Sequence, residues 1–171
     1  MKKFLLLFLF IFSQACATNT ALLPEHTPNG ISVKSLGYPV DYNFVDFIFI
    51  RTIEQTVQQY GGNEQRIFNT LSQIKVEFIP LPIFLVDTIN GKFLVATGDM
   101  YDDGRMHVSL RDVDSQTQRP AKKIYCTISH EFVHWVAQKV DARELGDSHS
   151  FPFYGPKSIN ENVCRTIEGM I

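Results

Sequence analysis

His130, Glu131 and His134 carry the sharpest chemical signal in this 171-residue chain, in the run His130, Glu131, Phe132, Val133, His134. In a helix, residues four apart share a face, so both imidazoles can hold one metal ion while Glu131 stands beside it. Neutral imidazole suits zinc, and a catalytic zinc site takes three protein ligands and keeps a fourth position for water. Zinc lowers the pKa of that water to about 7, and a carboxylate in reach can take its proton and later deliver it to a leaving amine. The expected chemistry is therefore peptide-bond hydrolysis with one Zn2+ ion, Glu131 as general base, and His130 and His134 as two of three ligands.

Such a motif works only if the chain builds a helix around it. The segment from Ala121 to Val140 is strongly helical in pattern, with Ile124, Ile128, Val133, Val136 and Val140 supplying apolar side chains. Asp41 to Tyr60 carries Phe44, Phe47, Ile48, Ile50, Ile53 and Val57 near helical spacing and stops at Gly61 and Gly62, so it reads as a core-packing helix. A shorter helix is expected from Asn63 to about Leu71. The period then changes. Ile74 to Ile79 and Ile83 to Val86 read as strands, and Asn90 with Gly91 supplies a tight turn into Lys92 to Ala96. Arg105 to Leu110 alternates Met106, Val108 and Leu110 with polar residues, as a half-buried strand does, after a turn at Asp102 to Gly104. A last helix is expected from Ser158 to Glu168, with Ser158 as N-cap and Glu161 three residues on in a capping-box position.

This order of strands, the helix reading CTISHEFVHW, and the terminal helix resemble the zincin metallopeptidase superfamily over roughly Ile74 to Glu168. The resemblance implies an α+β fold with a mixed sheet, an edge strand at Arg105 to Leu110 beside the motif helix, and a C-terminal helix. It also implies that the edge strand takes extended substrate backbone by β-augmentation.

Two residues compete as third ligand. His149, fifteen residues after His134 in GDSHSFPF, resembles the spacing and Asp-x-His context of SprT-like and Spartan-like proteases, with Ser150 where those usually have Gly. Glu161, twenty-seven residues after His134 in SINENVCRTIEG, resembles the Asn-Glu pair of gluzincins, with Arg165 where an Asp is common. The metzincin spacing is not met, because Val140 stands where its third His would be.

Tyr154, between these two, is a candidate hydrogen-bond donor to the tetrahedral oxyanion. His107 can face either solvent or substrate, and Trp135 reads as a core residue. Cys126, four residues before His130, and Cys164, three after Glu161, form a candidate disulfide that would pin the last helix to the motif helix.

Lys2 and Lys3 precede an apolar run from Phe4 to Phe12, the layout of a secretory signal and too short a run to span a bilayer. Ala15, Cys16 and Ala17 fit an ordinary signal-peptidase site, whereas Ser13 to Cys16 resembles a loose bacterial lipobox in which Cys16 becomes the lipidated first residue. The expected organisation is a signal peptide at 1–17, a tether and entry segment at 18–40 with a short strand near Ile31 to Val33, and a single zincin-like domain at 41–171. The protein is then exported, either to the bacterial cell envelope as a lipoprotein or in periplasmic or secreted form, with a membrane partner through the lipid anchor. Sixteen Lys and Arg against eighteen Asp and Glu, net charge -2, leave no basic field for nucleic acid. A peptide or protein substrate is the expected partner. The alternative is a non-catalytic zinc-containing envelope lipoprotein that binds a protein or cell-wall partner.

Overall fold

The structure, a computed structural model, describes residues 25–87, 91–139 and 154–171. The expected signal segment, Cys16 and His149 lie outside the described residues.

Five strands form one sheet: β1 (Glu25–His26), β2 (Ser32–Ser35), β3 (Lys75–Ile79), β6 (Gly98–Met100) and β7 (Arg105–Ser109), in the spatial order β1-β2-β3-β7-β6. The three central strands run parallel, and β1 and β6 lie antiparallel at the two edges. A separate two-stranded hairpin joins β4 (Ile83–Asp87) to β5 (Lys92–Ala96). With helices α1 (Tyr42–Tyr60), α2 (Glu64–Phe68), α3 (Ala121–Lys139) and α4 (Ile159–Met170), the described residues make an α+β fold with a mixed sheet and four α-helices.

Local chemistry explains the helix ends. The Asp41 carboxylate accepts from Phe44 N at the start of α1, and Gly61 N donates to Val57 O at its end. Asn63 caps α2 and Ser158 caps α4 in the same way, the latter through Glu161 N to Ser158 Oγ at 3.1 Å.

Period-two alternation then sorts the sheet. Val76, Phe78, Met106 and Val108 are buried in one cluster with Ile48 and Phe49 of α1, Ile128 and Phe132 of α3, and Val163 and Ile167 of α4. Phe49 and Phe132 meet with ring centroids 4.5 Å apart. Burying each such side chain stabilises the fold by roughly 1.5–3 kcal/mol. Residues between them stay polar: Glu77 lies 3.9 Å from Lys34 Nζ and 4.0 Å from His107 Nε2.

Three expectations are corrected. Residues 25–40 are more ordered than a tether and entry segment with one short strand: the strand expected near Ile31 to Val33 is β2, β1 joins it, both extend the sheet, and Ile31 and Val33 are almost wholly buried. Scattered Pro and Gly masked the two-residue β1, and the parallel pairing of β2 with β3 joins residues far apart in the chain. Arg105–Ser109 is not an edge strand either: it is held between β3 and β6, and β6 is the edge. The Asp102 to Gly104 turn is a hairpin turn, closed by Tyr101 N to Arg105 O and Gly104 N to Tyr101 O. Gly104 has φ +89°, and a Cβ there would lie 2.3 Å from Gln73 O, so the turn sits directly against the end of the preceding 3-10 helix. Finally, the expected strands pair as β4 and β5, but as their own small sheet rather than as part of the main one, and Asn90 of the expected turn lies outside the described residues.

Candidate metal site and cleft

Two polar pins fix how α3 is rotated about its axis. Ser129 Oγ, fully buried, lies 3.2 Å from Thr52 Oγ1 of α1. Trp135 Nε1 donates to Thr70 Oγ1 at 3.1 Å, and the indole is buried as expected of a core residue. With Ser129, Phe132 and Val136 held inward, His130 and His134 are left half-buried on the other side. Their rings stand 5.1 Å apart at 72° and both line a cleft of about 730 Å³.

Four elements and one loop wall this cleft. Leu85, Val95 and Ala96 come from the hairpin, Gly98, Asp99 and Met100 from β6, and Arg119 from the loop before α3. Lys123, Cys126, Thr127, His130, Glu131 and His134 run along α3, while Asn160 and Cys164 come from α4. The edge strand therefore does lie beside the motif helix, but it is β6 that does so.

Glu131 is buried against that strand. A Cβ on Gly98 would stand 2.3 Å from Glu131 Oε1 and 2.5 Å from Thr127 Cγ2, so glycine is what lets the β6 backbone approach the carboxylate. Burial, reinforced by the neighbouring Asp99 carboxylate, pushes the Glu131 pKa up to about 8. A carboxyl group poised near neutrality can both accept and return a proton.

Tyr154 packs its ring 4.6 Å from His130 and 5.3 Å from His134, and its hydroxyl donates to His130 O at 2.7 Å. The side chain proposed from sequence as an oxyanion donor is thus at the site, with its hydroxyl engaged by the backbone of α3. It is buried, and burial with the nearby Glu131 raises its pKa further.

Glu161 stands at the helix-capping position that the sequence indicates. Its carboxylate accepts from Lys157 N and from Arg165 Nη2, the latter at 3.0 Å, and it does not line the cleft. Asn160 and Cys164, one turn apart, occupy the face of α4 that does. One position along a helix rotates a side chain by about 100°, which separates Asn160 from Glu161.

Cys126 and Cys164 stand as free thiols in contact, with Cys164 Sγ 3.9 Å from Cys126 O. Their mutual hydrogen bond holds the Cys126 thiol below its ordinary pKa and the Cys164 thiol well above. The expected link between the last two helices exists here as a non-covalent one.

His107 faces Glu77 and packs edge-on to Tyr101 at 5.0 Å, away from the cleft. Comparison with known protein families, curated proteins and solved structures gives no match to this chain.

Among the described residues, no three of His, Cys, Asp and Glu gather at one point. The donors present still fit zinc: two imidazoles side by side on one helical face, and a buried carboxyl next to them that a nearby cation would hold ionised. Gly98, Asp99, Arg119 and Asn160 were missed by the sequence reading. Asn160 figured in the sequence only within the Asn-Glu pair that resembles gluzincins, and Cys164 only as a candidate disulfide partner of Cys126.

Proposed function

We propose that the chain is a zincin-like zinc peptidase, with His130 and His134 as ligands, His149 ahead of Glu161 as the third, and Glu131 as general base. The observation that carries this reading is the Glu131 carboxyl, buried between Gly98 of the edge strand and the helix that presents both half-buried imidazoles. A bound zinc ion would supply a Lewis acid that makes water a nucleophile near pH 7. Glu131 would take the proton from the attacking water and return it to the leaving amine. The β6 edge, which lines the cleft at Gly98, Asp99 and Met100, would offer backbone groups to an extended substrate. In the metal-free chain burial, and after it Asp99, favours the protonated carboxyl of Glu131, and a bound cation would favour the carboxylate that the base role needs.

The N-terminal charge and apolar pattern supports export and, through Cys16, a lipid anchor at the bacterial cell envelope. A second reading, a non-catalytic zinc-containing lipoprotein that binds a protein or cell-wall partner, is favoured by one feature. The cross-strand pairs Phe84 with Val95 and Val86 with Phe93 put four exposed apolar side chains on one face of the hairpin.

The deciding experiment combines zinc analysis with a peptide library. The peptidase reading expects about one zinc per chain, cleavage by the parent, and at least a hundredfold loss in Glu131→Gln with zinc retained. Full activity in that variant would overturn the mechanism. Zinc binding with no cleavage would favour the second reading.

A further inference from the structure

We propose that Arg119 and Lys123 form a subsite for a carboxylate, about three residues from the scissile bond of a bound peptide. This deepens the peptidase reading and rests on it for the position of that bond.

Both cations line the cleft that holds His130 and Glu131. Arg119 is nine-tenths buried, with 9% of its surface exposed. Its guanidinium donates to Thr97 O at 3.3 Å, Ser109 O at 2.7 Å, Lys123 O at 2.9 Å and Thr127 Oγ1 at 2.6 Å. All four acceptors are neutral. They fix the guanidinium plane and meet its hydrogens, but they leave its charge uncancelled. Among the described residues, no ion pair includes Arg119 or Lys123.

A buried cation without a counter-ion is costly, and the low-dielectric wall around it strengthens its pull on any anion that enters. Asp112, the carboxylate whose field reaches Arg119, is occupied with Ser115 and Asp114 N–H groups in its own turn. Asp99 acts on Glu131, and Glu168 acts on the Cys126 and Cys164 thiols without lining the cleft. Lys123 is exposed and adds donors that can reach a ligand. The positive end of α3, which starts at Ala121, adds to the field in the same sense. The division of labour follows: Arg119 sets the potential, and Lys123 makes the contact.

The distance comes from the helix itself. Lys123 precedes His130 by seven residues and Glu131 by eight. At about 1.5 Å of rise per residue this is roughly 11–12 Å. An extended peptide covers about 3.3 Å per residue, so the span corresponds to about three residues. The ligand is a peptide carrying either an acidic side chain there or its own C-terminal carboxylate.

The test measures binding of fluorescent peptides to the full zinc-loaded chain carrying Glu131→Gln, which blocks turnover. Matched pairs present Asp or Asn at successive positions, and a free or an amidated C-terminus, so that the two carboxylate sources are distinguished. The expected result is binding about tenfold tighter for one carboxylate set, a preference that collapses in Lys123→Glu with zinc content unchanged. Arg119→Gln should also abolish it, but that variant loses four structural hydrogen bonds, so the exposed Lys123 carries the decision. Equal binding of acidic and neutral peptides, no binding of any peptide, or a preference that survives Lys123→Glu would overturn the proposal. Cleavage by the parent without carboxylate preference would sink the subsite alone. Carboxylate-selective binding without cleavage would sink the peptidase reading alone.

Discussion

Gly98 and Glu131 are in such close approach that a single added carbon on Gly98 would stand 2.3 Å from Glu131 Oε1. A carboxylate displaced by an ångström loses much of its value as a base, on the order of 100-fold in rate. Gly98→Ala should therefore lower kcat/KM by about that factor and cost roughly 1–3 kcal/mol of stability from overpacking, while His130 and His134 still hold zinc. Steady-state kinetics with zinc analysis checks this. An alanine variant with parental activity would show that the strand does not fix the carboxylate.

The raised pKa of Glu131 makes the metal-free protein sensitive to pH in a definite direction. The folded state keeps a proton up to about 8, while the unfolded chain gives it up around the ordinary value of 4.5. This stability contribution is full below 4.5 and is lost as pH rises through about 8, at no more than about 1.4 kcal/mol per pH unit. Urea unfolding of the chelator-treated protein should show that decline. In Glu131→Gln the decline between those limits should be flattened; an unchanged slope would assign it to other groups.

On the zinc-peptidase reading, a pair of substitutions identifies the third ligand. The Glu161 carboxylate is already engaged by Lys157 N and Arg165, so Glu161→Ala should cost about 0.5–1 kcal/mol of helix-end stability and leave zinc affinity within about twofold. His149→Ala should weaken zinc binding at least a hundredfold. Competition with a chromophoric chelator reads both. The opposite pattern would move the ligand to α4 and require Glu161 to turn into the cleft.

Tyr154 distinguishes two roles by size of effect. Its hydroxyl bonds to His130 O at 2.7 Å and its ring packs on both histidines. Loss of that bond in Tyr154→Phe should cost about 1 kcal/mol of stability and less than tenfold in kcat. A fall of 100-fold or more in kcat with unchanged stability would instead mark the hydroxyl as a donor to the oxyanion.

The sequence was most informative where chemistry and local pattern coincide. His130, Glu131 and His134 stand on α3 as the four-residue spacing requires, and Asp41, Gly61 and Ser158 end helices through side-chain or backbone groups they carry themselves. The strands β1 and β6 were hidden because they are two and three residues long, too short to show an alternation, even though each pairs with the strand next to it in the chain; β2 was legible near Ile31 to Val33, but not its parallel pairing with distant β3. Gly98 and Asp99 carry no periodic signal, and Arg119 in a polar loop looks like a solvated surface residue until its four carbonyl and hydroxyl acceptors are brought around it. Glu161 shows the converse. Its capping position was legible, and the competing role as ligand needed a face of the helix that Asn160 and Cys164 occupy.

The hydroxyl contact between Thr52 and Ser129 joins residues 77 positions apart. The motif helix is thus not a portable module: grafted into another protein without α1, it would bring both imidazoles but nothing to set their bearing. Variation along the outer face of α1 would be tolerated, whereas a change at Thr52 would be felt across the molecule as a twist of the face that carries His130 and His134.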